Sequence, residues 1–295
     1  MNIRVLDLKY QGVPSIIAAF LVESGGELAL VETGPGSTLP ACLEALGACG
    51  VAPQEIRKVF VTHIHLDHAG AAGWWAQQGA MVYCHPAAAK HLIDPSRLID
   101  SARRVYGEEG LIQLWGEMLP APKDRVHALQ DNETVVVGNT AFSAWDTPGH
   151  ARHHHVYHAE GICFTGDVAG VRLEHCGYTS VAAAPPQFDA DAYLASVQRL
   201  LAGDFQQLYL THFGQVTDVR EHLDGYAKRV IAVKDRMKSW LSEVPTDGEE
   251  LRRRYREAEH QIAATAGVGE SLWARYELAN GTGMCADGVR LSLEK

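Results

Sequence analysis

Three histidines and one aspartate lie within six residues of this chain, in the stretch VTHIHLDHAG at 61–70. The stretch 56–61, which is apolar at Ile56 and from Val59 to Val61, leads into it and predicts a buried strand. If the backbone stays extended through His63 and His65, their side chains project to the same side. Asp67 and His68 then fall on the turn that enters a helix. Imidazole nitrogens with a carboxylate oxygen favour zinc, and also suit iron or manganese.

The spacing of this motif is specific. Histidine occupies 15 of 295 positions, so H-x-H-x-D-H is expected by chance in roughly 0.002 chains of this length. The alternative is a group of solvated or core histidines at the end of a strand. The spacing favours the metal site.

This motif resembles the hallmark of the metallo-β-lactamase superfamily, and the resemblance extends over about residues 1–216. The family's later ligands are a histidine in a T-P-G-H turn, an aspartate after an apolar strand and a histidine after a last strand. The chain has TPGH at 147–150, FTGD at 164–167 and YLTHFG at 209–214, in that order. One motif departs from the family, because Glu32-Thr33-Gly34 stands where many members have D-T-G.

The resemblance implies an α/β fold, a four-layer αββα sandwich, and two divalent metal ions, most simply Zn²⁺, with Fe or Mn as alternatives. It also implies seven ligands in two sets. His63, His65 and His150 would bind one ion. Asp67, His68 and His212 would bind the other, and Asp167 would bridge the two ions.

Other histidines leave alternatives open. One of His153, His154 and His155 could replace His150 as a ligand, although the T-P-G-H turn favours His150. His154 is then a candidate for holding a ligand or a backbone carbonyl in place. The remaining histidines are interpreted as polar surface or core residues: His85, His91, His127, His158, His175, His222 and His260. The aromatic residues Tyr106, Trp115 and Tyr178 could line a pocket, but core or cover is the simpler interpretation.

Length, charge and composition limit the kinds of protein that this chain is expected to be. A chain of 295 residues suits one large domain or a domain with an appendage. The net charge of −10 disfavours a nucleic-acid surface, which needs concentrated Lys and Arg. No apolar run approaches the length of a membrane span, and no signal-peptide hydrophobic region follows Met1. Six scattered cysteines without a C-x-x-C pair predict reduced thiols. We therefore expect a cytoplasmic protein with a small-molecule substrate.

Periodicity and turn residues predict the elements. Strands are predicted near 3–10, 15–23, 27–31, 56–61, 81–84, 134–137, 140–145, 154–158, 162–164 and 207–210, and helices over 37–49 with Ser37 as N-cap, from Ala69, and over 189–201. Short helices broken at Pro95 and Gly107 form an insertion at about 86–120. This insertion could lie over the active site or only cover a sheet.

Residues 217–295 are predicted to be a helical C-terminal extension to a domain spanning 1–216. Its first helix carries an apolar stripe at 219, 223, 226, 230, 233, 237 and 241. The stripe is expected to pack on the chain's own core, and a second subunit is the alternative, so the protein is a monomer or a homodimer. Pro245 is expected to end this helix, and Thr246 with Glu249 is predicted to form a capping box for the next.

The predicted function is a dinuclear metal-dependent hydrolase of the glyoxalase II and lactonase type. In this hypothesis a metal-bound hydroxide attacks an activated carbonyl of an ester, lactone or thioester, and Asp67 orients it and passes a proton to the leaving group. The alternative is an iron-dependent oxidoreductase like the persulfide dioxygenases, whose mononuclear site would leave Asp67 and His68 without metal. A non-catalytic binding module is disfavoured because all seven ligand-type residues are present.

Overall fold

The structure is a computed structural model that describes residues 1–174, 176–243 and 248–294. It divides into two compact units, one of Met1–Asp146 with His153–Gly166 and one of Thr147–Arg152 with Asp167–Lys295. His175, Pro245 and Thr246 lie outside the described residues, and so does the predicted capping box. The proposed division into 1–216 and 217–295 stays a prediction.

A six-stranded mixed sheet forms the first layer of the first unit. Its strands are Asn2–Asp7 (β1), Ala18–Ser24 (β2), Glu27–Val31 (β3), Ile56–Phe60 (β4), Met81–Cys84 (β5) and Val126–Ala128 (β6). β1, β2 and β3 pair antiparallel, and β3 to β6 pair parallel. Gly25 and Gly26 form the hairpin turn between β2 and β3, with φ of +54° and +81°. The carboxyl ends of the parallel strands therefore meet along one edge of the sheet.

A second, antiparallel sheet of the same unit packs on the first. It consists of Thr134–Val137 (β7), Thr140–Asp146 (β8), His155–Ala159 (β9) and Ile162–Gly166 (β10). Aromatic rings fill the space between the sheets. The Phe60 ring lies 5.4 Å from that of Phe142 and 5.1 Å from that of Tyr157, and Phe20 lies 5.5 Å from Phe164. Removing one such ring typically costs about 3–5 kcal/mol.

Five helices complete the first unit: Leu39–Ala48 (α1), Leu66–Ala69 (α2), Ala72–Gln77 (α3), Pro86–Ile93 (α4) and Ser96–Gly110 (α5). The prediction of Ser37 as N-cap is wrong, because its hydroxyl donates instead to Leu114 O at 2.7 Å and α1 begins two residues later. The predicted break at Gly107 is confirmed by its φ of 71° and ψ of 176°. A π-helical turn, Leu111–Trp115, follows α5.

The second unit is mainly helical. Its elements are Ala190–Ala202 (α6), Gln207–Leu210 (β11), Gly214–Val216 (β12), Val219–Glu243 (α7), Gly248–Thr265 (α8), Glu270–Ala279 (α9) and Thr282–Leu293 (α10). The stripe of α7 is buried from Val219 to Met237 and packs on α6, α8 and α10. No helix in the described ranges is long and apolar enough to span a bilayer.

The two sheets and their flanking helices confirm the predicted α/β class. β6 and β12 were missed, since three residues are too few to show an alternating pattern. Tyr178 is a core residue of the second unit, as predicted. Its hydroxyl donates to Glu259 at 3.0 Å, and Arg229 also pairs with that buried carboxylate. A buried carboxylate requires such partners.

His222 is a buried histidine at the start of α7. Its Nε2 donates to Ala169 O at 2.9 Å, and its Nδ1 accepts from Arg172 at 3.4 Å. The imidazole is therefore neutral, with its proton on Nε2. Burial, followed by the charge of Arg172, lowers the pKa of His222 to about 4, although the Ala169 carbonyl and Asp218 act in the opposite direction.

This environment predicts acid sensitivity. The folded pKa lies below the ordinary value of 6.5, so the unfolded chain binds a proton that the folded chain does not. The free energy of unfolding should therefore fall as the pH drops from 6.5 towards 4, with a contribution from His222 approaching about 1.4 kcal/mol per pH unit. Urea titrations at several pH values should show that the free energy of unfolding of His222→Gln depends less steeply on pH than that of the wild type. Parallel curves for the two proteins would contradict this assignment.

Candidate metal centre

The H-x-H-x-D-H motif follows β4 and enters α2. His63 and His68 are fully buried, whereas His65 and Asp67 are partly exposed. Asp67 and His68 lie in the first turn of α2, which begins at Leu66, earlier than the helix predicted from Ala69. His63 Nε2 lies 3.0 Å from His65 Nδ1, and His68 Nε2 lies 3.6 Å from Asp67 Oδ2. The structure therefore brings these four predicted ligands together within the first unit.

Glu32 lies behind this motif as a buried carboxylate. Its Oε1 accepts hydrogen bonds from the Thr62 hydroxyl at 2.5 Å and from His68 Nδ1 at 2.9 Å. Its Oε2 accepts from the Thr62 amide at 3.3 Å. Three donors thus compensate one buried negative charge, as burial of a carboxylate requires. The glutamate that departs from the family's D-T-G turn is therefore tied to the motif itself.

These contacts fix the tautomers of two histidines. A carboxylate only accepts hydrogen bonds, so the proton of His68 is on Nδ1 and its Nε2 carries a lone pair. The single proton of the Thr62 hydroxyl goes to Glu32, so Thr62 Oγ1 accepts from His63 Nδ1 at 3.1 Å. His63 Nε2 therefore also carries a lone pair. Such outer partners orient histidines for metal binding.

The backbone of Glu32 adopts an unusual conformation to make these contacts. Its φ is +63°, a left-handed geometry that costs a residue other than glycine on the order of 1–3 kcal/mol. The Glu32 amide donates to Phe60 O at 2.8 Å, and the amide and hydroxyl of Thr33 both donate to His68 O at 2.9 Å. The turn after β3 therefore holds both the side chain and the backbone of His68.

The second unit contains the other three predicted ligands, and both His150 and His212 lie next to Asp167. His150 Nε2 lies 3.4 Å from Asp167 Oδ2, and His212 Nε2 lies 3.6 Å from Asp167 Oδ1. All three side chains are at least nine-tenths buried. His150 Nδ1 donates to Ala182 O at 2.9 Å, so its Nε2 is free of that proton and points towards the carboxylate. Each oxygen of Asp167 therefore faces a different imidazole.

The T-P-G-H turn that carries His150 is fastened to the start of α6. Ser196 Oγ donates to Pro148 O at 2.6 Å, and the Asp189 amide donates to Gly149 O at 2.8 Å. Gly149 has a φ of +128°, and a Cβ at this position would lie 2.3 Å from the Tyr193 backbone. Only glycine allows this approach, so the motif's glycine sets the position of His150.

The donor atoms fit divalent cations. In both units a lone pair on imidazole Nε2 faces a carboxylate oxygen at 3.4–3.6 Å, as in His68 with Asp67 and His150 with Asp167. A positive charge between two such electron-rich atoms stabilises the arrangement, and a metal ion is one group that supplies it. Each of the seven predicted ligands belongs to a group of three histidine or aspartate side chains that could hold a metal ion. Their assignment as ligands stays a prediction.

His153 and His154 lie beside the motif in the first unit. The Ile64 amide donates to His153 Nδ1 at 3.5 Å, and the ring of His154 lies 5.0 Å from that of His63. Both rings pack around the predicted ligands. His150, in contrast, faces Asp167.

A further group that the sequence did not indicate comprises His85, Asp146 and His155, whose ligand atoms lie within 4.8 Å of one another. His85 is the N-cap of α4, and its Nδ1 accepts from the Ala87 amide at 3.0 Å. Its Nε2 therefore carries the ring proton and lies 3.3 Å from Asp146 Oδ1. The hydrogen bond from the Ala87 amide explains the position of His85 without a metal. The only sequence signal was a histidine directly before Pro86.

Comparison with known proteins identifies the family of this chain. The model of the Metallo-beta-lactamase superfamily matches residues 12–212, which is more than half of the chain. The chain belongs to the metallo-β-lactamase superfamily. The resemblance carried by the sequence motifs is thereby confirmed.

Individual relatives agree with this membership. The Metallo-beta-lactamase fold-containing protein ST1585 of Sulfurisphaera tokodaii is 27% identical over 208 residues, which cover 67% of this chain and 78% of that protein. Metallo-beta-lactamase domain-containing protein 1 of Rattus norvegicus is 30% identical over 124 residues, covering 41% of this chain and 36% of that protein.

Solved structures show the same fold. The crystal structure of ST1585, from Sulfolobus tokodaii, has a TM-score of 0.64 at 22% identity and covers 77% of this chain and 85% of that one. The metallo-beta-lactamase family protein TTHA1429 of Thermus thermophilus has a TM-score of 0.63 at 23% identity, with coverage of 81% and 82%. The expected αββα arrangement with C-terminal helices is confirmed at the level of fold.

The bonds of Glu32 predict its effect on metal binding. Glu32→Gln places an amide NH₂ against the Thr62 amide and removes the charge that holds His68 Nδ1–H. The affinity for Zn²⁺, measured by competition with a chromophoric chelator, should fall about 10–100-fold. Glu44→Gln, at a side chain 73% exposed, is the matched control and should bind like the wild type. Equal affinities in Glu32→Gln and wild type would refute this role.

Proposed function

We propose that this protein is a metal-dependent hydrolase that cleaves an activated carbonyl compound, an ester, lactone or thioester of low molecular weight. The observation that carries the proposal is the pair of ligand clusters, His63, His65, Asp67 and His68 in one unit and the trio around Asp167 in the other. Imidazole and carboxylate donors of this kind, with positions left over for solvent and substrate, are typical of catalytic metal sites. Membership of a superfamily built on this motif supports the proposal.

We assign the ligands as the sequence motifs imply. His63, His65 and His150 would hold one divalent cation, and Asp67, His68 and His212 the other, with Asp167 shared between them. The two Asp167 oxygens, each facing a different histidine, support the shared role. Two bound cations would lower the pKa of a coordinated water and polarise a carbonyl oxygen of the substrate.

Residues of the chain itself orient the ligands and transfer the proton. Glu32 and Thr62 keep the Nε2 lone pairs of His63 and His68 directed away from the buried carboxylate. Asp67, with 20% of its side chain exposed, is accessible to solvent, whereas Asp167 is buried. We therefore assign Asp67 the task of orienting the attacking water, accepting its proton and passing that proton to the leaving group.

Metal content tests the ligand assignment. The proposal predicts about two equivalents of zinc per chain by elemental analysis, and loss of esterase activity after chelation with recovery on adding Zn²⁺. About one equivalent of iron, with oxygen-dependent turnover of a persulfide, would instead support the mononuclear dioxygenase. Panels of lactones, thioesters, phosphoesters and β-lactams would identify the substrate class.

Asp67 provides a second test. Asp67→Asn keeps the shape of the side chain but removes its capacity to accept a proton, so kcat should fall by about 10²–10⁴-fold. Elemental analysis of the same sample shows whether a lower kcat results from loss of a metal ion or from loss of the carboxylate that accepts the proton. Asp124→Asn, at a side chain 79% exposed in the first unit, is the control. A variant that loses one metal equivalent and keeps wild-type turnover would refute the proposal.

A further inference from the structure

Three aromatic rings of the first unit form a continuous row from the interior to the surface. The Tyr10 ring, buried after β1, stacks on that of Trp115 with centroids 5.7 Å apart and an interplanar angle of 30°. Trp115 in turn contacts Tyr106 edge-on at 5.4 Å. Tyr106, on α5, is 38% exposed. Tyr10, Trp115 and Tyr106 together are called the aromatic row.

The aromatic row is linked to the helical turn of Asp67 through the loop after β3, because a Cβ on Gly70, the residue that follows α2, would lie 2.8 Å from Pro35 Cα and 3.1 Å from Gly36 N. Burial is the larger cause of the raised pKa values of Tyr10 and Tyr106, and the negative charge of Asp67 raises both further. The two phenols therefore lie within the field of this carboxylate. With pKa values above the ordinary value of 10, both remain uncharged at neutral pH. The aromatic row itself is thus uncharged.

The segment that carries Trp115 is held firmly in this position. Gln11 Nε2 donates to Gln113 O at 3.1 Å, and Ser37 Oγ donates to Leu114 O at 2.7 Å. A Cβ on Gly36 would lie 2.3 Å from Glu117 O, so the two backbones touch at a position open only to glycine. The predicted insertion is therefore anchored to the loops after β1 and β3.

Apolar side chains are unusually exposed along this segment. Of the seven large hydrophobic side chains that are exposed in the described ranges, three lie between 105 and 112: Val105 at 72%, Tyr106 at 38% and Ile112 at 63%. Scattered exposed apolar residues are ordinary, but a concentration of them marks a binding surface. Tyr106 belongs both to this group and to the aromatic row, so an apolar ligand held here also lies along the row.

We propose that the aromatic row binds the apolar acyl or aryl portion of the substrate while its carbonyl lies beside Asp67. This inference rests on the proposed function and adds to it a substrate class, namely esters, thioesters or lactones with an uncharged hydrophobic chain. Burying each methylene against the rings should raise kcat/KM about four-fold until the row is covered. The chain would stack along Tyr106, the ring nearest to solvent.

Binding of an inert amide tests the subsite without turnover. Calorimetric titration of the purified, zinc-loaded protein should show octanamide binding at least ten-fold more tightly than acetamide. Tyr106→Ala should weaken octanamide binding about ten-fold, and Tyr106→Phe should retain it because the ring remains. Val136→Ala, at another exposed apolar residue of the first unit, should bind like the wild type. Equal octanamide affinities in Tyr106→Ala and wild type would overturn the proposal.

Two further results distinguish a failure of the proposed subsite from a failure of the hydrolase proposal. If esters from acetyl to octanoyl are hydrolysed with the same kcat/KM, the subsite is wrong and the hydrolase stands. If no ester is hydrolysed but octanamide binding depends on Tyr106, the subsite stands and the hydrolase fails. A wild-type dimer that Tyr106→Ala converts to a monomer, with octanamide binding unchanged, would make this surface a subunit contact and also overturn the proposal.

Discussion

The carboxylate of Glu32 is the contact on which the candidate metal centre depends. One oxygen accepts from the Thr62 hydroxyl and from His68 Nδ1, so a single buried charge determines where the protons of two neighbouring histidines lie. Both rings then present Nε2 lone pairs. Reaching this position requires a left-handed backbone at Glu32. The local strain is offset by the three hydrogen bonds that the carboxylate accepts, each of which is charge-assisted.

The two ligand clusters are built in different ways. The first uses a strand end and one helical turn, so four ligand-type side chains are close together because they are close in sequence. The second collects His150, Asp167 and His212 from separate segments of its unit, and backbone contacts such as that between Gly149 and Tyr193 set their positions. The first unit also carries the aromatic row, whose uncharged rings suit a substrate with a hydrophobic chain.

Much of this arrangement follows from the sequence. The H-x-H-x-D-H spacing predicted the cluster after β4, and the resemblance of three later motifs to the superfamily indicated His150, Asp167 and His212. Long strands and the α7 stripe were predicted because their periodicity is extended. Three-residue strands, the start of α2 at Leu66 and the hydrogen bond of Ser37 to Leu114 were not predicted. Each depends on contacts between residues that are distant in sequence. The role of Glu32 depends on such contacts too, and the sequence indicated only that a glutamate stands where many family members have aspartate.

In the proposed metal centre, seven side chains hold two cations together. Diffraction from crystals of the zinc-loaded protein, recorded on both sides of the zinc absorption edge, tests this directly. We expect two anomalous peaks separated by about 3.5–4 Å, one bound by His63, His65 and His150, the other by Asp67, His68 and His212, with Asp167 between them. A single peak, or peaks bound by other residues while His150 and His212 contact no metal, would contradict this claim.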